Sequence, residues 1–148
     1  MTFRTLTKEE LKRNMKSFMK IIEGWKYSLW TEENFLYELP KKWDYSFAVY
    51  EKDELIGFCI ASGKIEAVYY IHLFFLSEKA RGRSAGEAMI QHARQVAMRN
   101  GVSRIELRCP ESNTVALAFY HKTGFKTEKI VQDEVSGPEA DHYLTASF

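Results

Sequence analysis

The residues best suited by type and spacing to do chemistry in this 148-residue chain are Arg81-Gly82-Arg83-Ser84-Ala85-Gly86. They follow the apolar, aromatic-rich run Val68–Leu76, which reads as a strand. Beyond them Met89, Ala93, Val96 and Ala97 recur at helical spacing. A strand that turns through glycine into a helix aims unpaired backbone amides at one spot. The positive end of the helix dipole lies there too, and the combination suits a phosphate. Arg81 and Arg83 add charge and directed donors. Without a ligand, the same six residues describe a solvated basic turn ahead of a surface helix.

A second motif follows, Asn113-Thr-Val-Ala116-Leu-Ala-Phe119-Tyr120-His-Lys-Thr-Gly124-Phe125, with a helix start, an apolar face and a glycine stop. The order Arg-x-x-Ser-x-Gly, helix, short strand, Asn-x-x-Ala-x-x-Phe-Tyr-x-x-x-Gly-Phe resembles the GNAT superfamily of acyl-CoA-dependent N-acetyltransferases. The two motifs lie within Leu73–Phe125. The resemblance implies an α/β fold with a central mixed six- to seven-stranded sheet flanked by about four helices, over residues 1–148 as one domain. It implies acetyl-CoA as cosubstrate, an amine as acceptor, and no metal.

Transfer of acetyl from a thioester to an amine has four requirements. The pyrophosphate must be held, the thioester placed, an ammonium deprotonated and a thiolate released. By the resemblance, the first falls to Arg81, Gly82, Arg83, Ser84, Ala85 and Gly86. Ser84 stands where the family usually has glycine. Its hydroxyl can donate to phosphate, or it can join Glu87 in a capping box that would consume the same amides. The resemblance also implies that the strand end at Phe74, Phe75 and Leu76 splays from its neighbour and offers its backbone edge to the pantetheine arm. Tyr120 takes the place of a tyrosine that protonates the departing thiolate. A phenol of pKa ~10 can donate to a thiolate of pKa ~8.5, though the ring can equally serve the core. Asn113 caps its helix or bonds the pantetheine.

For the base, His72 is suited by type, and strand alternation puts Tyr70 on its face. A lone strand histidine is often structural, and a chain of ordered waters is the third option. A non-catalytic acyl-CoA-binding sensor is the alternative to an enzyme.

The elements that must position these groups read as follows. Thr2–Leu6 is a short strand and Lys8–Trp25 one amphipathic helix capped by Thr7. A second helix begins at Thr31 and ends by Pro40. Ser46–Glu51 and Leu55–Ser62 form a hairpin. The central strand and the helix Ala85–Asn100 follow, then the strand Arg104–Arg108, a spacing that demands parallel pairing with a crossover. The helix Thr114–Thr123 and closing strands Lys126–Val131 and His142–Phe148 complete the order.

Composition narrows the class. The net charge of +1 with no basic stripe speaks against nucleic acid as a partner. No apolar run is long enough to span a membrane, and the charged N-terminus does not read as a signal peptide. Cys59 and Cys109 are too few for a disulfide framework or metal knuckle. Together these predict a cytoplasmic protein, with a homodimer allowed. The loops Gly24–Glu33 and Gln132–Asp141 read as acceptor walls, and their acids (Glu32, Glu33, Asp133, Glu134, Glu139, Asp141) would suit a cationic amine.

Overall fold

The structure, a computed structural model, describes residues 1–27, 30–82 and 84–148. Seven strands form one mixed sheet in the order β1-β2-β3-β4-β5-β7-β6. β1 is Thr2–Thr5, β2 Phe47–Glu51, β3 Glu54–Ser62, β4 Tyr69–Leu76, β5 Arg104–Pro110, β6 Lys126–Val131 and β7 Asp141–Ser147. Among the described residues only β4 and β5 run parallel, joined by the crossover helix α5, as the strand–helix–strand spacing requires.

The helices are α1 Lys8–Arg13, α2 Met15–Ile22, α3 Glu32–Leu36, α4 Lys42–Tyr45, α5 Ala85–Arg99 and α6 Thr114–Lys122. The expected single helix from Lys8 to Trp25 is two. Asn14 explains the break, because its side-chain amide donates to the Glu10 carbonyl at 3.0 Å. That bond competes with the helical ladder, and the backbone leaves helical geometry there. Thr7 caps α1 by accepting from the Glu10 amide, as its type predicts. α4 had no signal in the hydrophobic pattern, since it is a single turn.

Two apolar layers sandwich the sheet. On one face α5 and α6 pack Met89, Ile90, Ala93 and Leu117 against Val49, Ile71, Ile105 and Leu107. On the other, α1–α3 pack Leu11, Phe18 and Phe35 against Phe58, Leu73 and Phe75. Ile71 and Leu73 therefore belong to opposite cores although two residues apart. Strict alternation would put them on one face. The cause is a bulge: Leu73 pairs with Ile60 and Ile71 with Ala61, leaving His72 as the extra residue of β4.

α6 ends in a Schellman motif. The Phe125 amide donates to the Tyr120 carbonyl at 3.0 Å and the Gly124 amide to the His121 carbonyl at 3.2 Å. Gly124 has φ +104°, which only glycine adopts freely. No helix among the described residues is long and apolar enough to cross a membrane.

Candidate active site

The parallel pairing of β4 with β5 is short. It joins Tyr69, Tyr70 and Ile71 to Ile105, Glu106 and Leu107, and among the described residues it goes no further. On its other edge β4 stays paired with β3 as far as Leu76 opposite Gly57. The two central strands therefore part after Ile71, and the C-terminal half of β4 keeps a free backbone edge. This is the splay implied by the resemblance, reached here from the register.

A cleft of about 510 Å³ opens at this parting. Phe74, Phe75, Leu76, Arg81, Gly82, Ser84, Gly86, Asn113 and Tyr120 all line it, so it gathers both sequence motifs. Ala85 is buried behind it in the core. Arg83 lies outside the described residues. Trp25, Val115, and the motif residues Ala116 and Phe119 also line the cleft, though the sequence reading did not assign them to the site. A second cleft of about 570 Å³, between α2 and the start of α3, shares Trp25 but none of the residues marked as catalytic or cofactor-binding.

Ser84 stands at the start of α5 with φ 60°, in the left-handed region, and its side chain caps nothing. The capping box with Glu87 does not form. Glu87 instead pairs with Lys122 at 3.0 Å, which offsets the charge of a carboxylate at the cleft wall. Among the described residues the first-turn amides of α5 thus have no side-chain cap, Gly82 has φ +77° with open space around it, and Arg81 stands beside them. The Arg81 Nε donates to the Leu76 carbonyl at 3.2 Å, which fixes the guanidinium at the end of β4. These groups fit a pyrophosphate. Gly86 serves packing as well: a Cβ there would meet the Phe119 ring at 2.9 Å, so glycine lets α6 approach α5.

Tyr120 projects from the second turn of α6 into an aromatic collar. Its ring lies 6.1 Å from Phe74, 5.3 Å from Phe119 and 5.5 Å from Phe125. Burial drives its pKa far above the ordinary phenol value, so the hydroxyl stays protonated. Asn113 caps α6 by accepting from the Ala116 amide at 3.3 Å, the structural option left open by the sequence. Burial pushes the Cys109 thiol up to about 12, which suits a packing residue rather than a nucleophile.

The bulge residue His72 is the first residue of β4 beyond the last β5 pair, half-buried, with its ring 4.9 Å from Tyr70. It does not line the 510 Å³ cleft. Its Nε2 lies 2.7 Å from the Ser62 Oγ. Burial, with Lys64 and Lys42 adding to it, holds its pKa down to about 4.

On the β5 side the sequence reading missed Arg108. Its Nε donates to Asp141 at 3.0 Å, and its NH1 and NH2 reach Asp133 at 3.2 and 2.9 Å. Glu139 accepts from the Ser112 amide and hydroxyl, both at 2.9 Å. Three of the six acids proposed for a cationic amine are thus engaged within the protein. With the Ser112 proton on Glu139, the Tyr27 hydroxyl donates to the Ser112 Oγ at 3.4 Å, linking the loop after β5 to the loop after α2. No group of His, Cys, Asp and Glu among the described residues could hold a metal ion.

A parted parallel strand pair, a helix start without a side-chain cap from Ser84 and a buried phenol meet on one cleft. Residues 15–125 match the model of the acetyltransferase (GNAT) family, and the chain belongs to that family. It is 28% identical over 142 residues to the uncharacterized N-acetyltransferase MJ1207 of Methanocaldococcus jannaschii, covering 88% of this chain. It is 30% identical over 92 residues to the peptidyl-lysine N-acetyltransferase YjaB of Salmonella typhimurium, covering 62% of this chain. The chain spans 63% and 57% of the lengths of these two relatives. Its fold is that of Ard1 from Thermoplasma volcanium, with a TM-score of 0.84 at 18% identity over 99% of this chain and 96% of that one. It is also that of the paia N-acetyltransferase of Thermoplasma acidophilum in complex with coenzyme A, with a TM-score of 0.76 at 17% identity over 99% and 98% of the two chains.

Proposed function

We propose that this protein is an acetyl-CoA-dependent N-acetyltransferase that transfers acetyl directly to an amine, as one domain over residues 1–148. The observation that carries the reading is the 510 Å³ cleft, on which an uncapped helix start with Arg81 and the protonated Tyr120 meet beside the parting of β4 and β5. Arg81, Gly82, Ser84 and the first amides of α5 hold the pyrophosphate, with Arg83 beside them in sequence. The free edge of β4 at Phe74–Leu76 takes the pantetheine arm. Acetyl-CoA supplies the activated acyl carbon.

The amine nitrogen bonds to that carbon, the carbon–sulfur bond breaks, and the sulfur takes the proton of the Tyr120 hydroxyl. The ammonium first gives one proton to water at the mouth formed by the parted strands, beside His72 and Tyr70, and after attack the nitrogen's second proton returns through water to the Tyr120 oxygen, which restores the phenol. The relative YjaB modifies peptidyl lysine, which supports an amine carried by a peptide. The near-neutral charge without a basic stripe supports a protein without nucleic acid as partner; a cytoplasmic location and a homodimer are compatible with the same reading.

The test is thiol release from acetyl-CoA across a panel of amines, beside the melting temperature with and without acetyl-CoA. A ligand that binds only the native state raises apparent stability. The shift is expected in the wild type and lost in Arg81→Glu. A shift with no thiol release for any amine would mean an acyl-CoA sensor. No shift at all would remove the cofactor from the account.

A further inference from the structure

Ser62 and His72 meet at the bulge of β4. Ser62 pairs with Tyr70, and the extra residue His72 follows on the same face. Ser62 is fully buried, and its Oγ has two polar neighbours. It accepts from the Lys64 amide at 3.3 Å and lies 2.7 Å from the His72 Nε2. The amide is only a donor, so among the described residues the hydroxyl proton has a single acceptor in reach, Nε2. Buried hydroxyls keep their protons bonded. His72 is therefore the neutral tautomer with its hydrogen on Nδ1, and its basic lone pair is already taken.

That leaves two donors on one face of β4, at the place where its pairing with β5 ends. The Nδ1–H of His72 and the hydroxyl of Tyr70 make no hydrogen bond among the described residues, and neither is sealed off as a fully buried unpaired atom. Both are neutral at physiological pH. Burial, then Lys64 and Lys42, keep His72 unprotonated. Burial outweighs the opposing pull of Arg108 and holds the Tyr70 phenol up to about 12, with Asp141, Glu106 and Asp133 acting in the same direction as burial. Lys64 lies over the Tyr70 ring at 4.3 Å. A polycation would need free carboxylates, yet Asp133 and Asp141 are held by Arg108. Neutral donors suit carbonyl oxygens.

We propose that the His72 Nδ1–H and the Tyr70 hydroxyl bind carbonyl oxygens of a peptidic acceptor, and that His72 acts by holding the substrate rather than by removing its proton. The proposal rests on the acetyltransferase reading above and adds to it the two groups that hold a peptidic acceptor. Ser62 is the positioning residue, because its hydroxyl fixes which ring nitrogen carries the hydrogen.

The test has two arms. In the first, nitrogen NMR of histidine-labelled wild-type protein reads the tautomer of His72 directly. Hydrogen on Nδ1 between pH 6 and 9 is expected, and hydrogen on Nε2 overturns the assignment. In the second, kcat/KM is compared for a tetrapeptide with a free α-amine, an N-blocked lysine peptide, spermidine and butylamine. At least one of the peptides is expected to be preferred over spermidine and butylamine. His72→Ala and Tyr70→Phe should each lower the peptide value about 2- to 10-fold, through KM. His72→Asn, whose amide nitrogen stands near the place of Nδ1, should recover most of the loss and leave the pH profile unchanged. A fall of about 100-fold or more in His72→Asn, with loss of a limb of the profile, makes His72 the base and overturns the proposal. Preference for spermidine overturns it equally. If no amine is acetylated while acetyl-CoA still binds, the enzymatic reading fails and the peptide role with it, while the NMR result still decides the tautomer.

Discussion

Phe125 holds Tyr120 from two directions. Its amide closes the Schellman end of α6 on the Tyr120 carbonyl at 3.0 Å, and its ring lies 5.5 Å from the phenol at an interplanar angle of 72°. The glycine turn that stops the helix thereby fixes the residue facing the cleft. Backbone and ring are locked together, so the hydroxyl is placed by the fold rather than by the ligand.

This placement leads to the first prediction. Tyr120→Phe removes only the proton donor and leaves the collar of Phe74, Phe119 and Phe125 intact. Turnover should fall by ~10²–10⁴-fold with little change in acetyl-CoA affinity. Steady-state kinetics beside calorimetric binding checks it, and full turnover in the variant passes the role to water.

Ser84 gives the second. It sits at φ 60°, a conformation costly for any residue with a Cβ, without capping the helix in return. Ser84→Gly should raise the apo stability by up to about 1 kcal/mol and preserve cofactor binding. Ser84→Ala keeps the backbone cost and removes the hydroxyl. If that hydroxyl meets the phosphate, affinity drops by about 1.5–3 kcal/mol, with apo stability nearly unchanged. Equal affinity in Ser84→Ala and wild type removes the hydroxyl from the phosphate site.

The third concerns acid. The ordinary histidine value is 6.5, whereas folded His72 protonates only near 4. Between these values the unfolded chain binds the proton and the folded one does not, so stability falls as pH drops from about 6.5 towards 4. His72→Asn lacks that term and should lose less stability over the window, as read by urea unfolding at several pH values. Parallel curves for the two proteins would contradict a His72 buried in its neutral form.

Arg108 gives the fourth. Its partner Asp141 is buried at the end of β7, so Arg108→Met strands a carboxylate in a low-dielectric setting. The cost should be about 3 kcal/mol by urea unfolding, and a second change, Asp141→Leu, should restore much of it. If the double variant is no more stable than the single one, the pair is not what holds β5 to the end of β7.

What was readable in the chain follows how far each signal reaches. The helix α5, the helix α6 and the strand β4 carry their own periodicity and stop signals, so local pattern located them to within a residue or two. The cleft was readable because both motifs are short and sit at element ends. The bulge at His72 was not, since it is a mismatch between β3 and β4 that neither strand displays alone. Ser62 is silent for the same reason, as its partner stands ten residues on in another strand. Arg108 alternates like any strand residue, and its acids lie 25 and 33 residues later. The break at Asn14 had a usable signal, because an asparagine inside an apolar stripe competes with the helical ladder.

The initial rate of thiol release, with acetyl-CoA and a peptide amine both varied, tests the central claim most directly. Direct attack within one complex predicts double-reciprocal lines that intersect, and one acetylated amine for each thiol released. Parallel lines would require an acyl-enzyme, for which the buried Cys109 thiol, held near 12, offers no nucleophile. That result, or bound acetyl-CoA with no amine acetylated, would contradict the account.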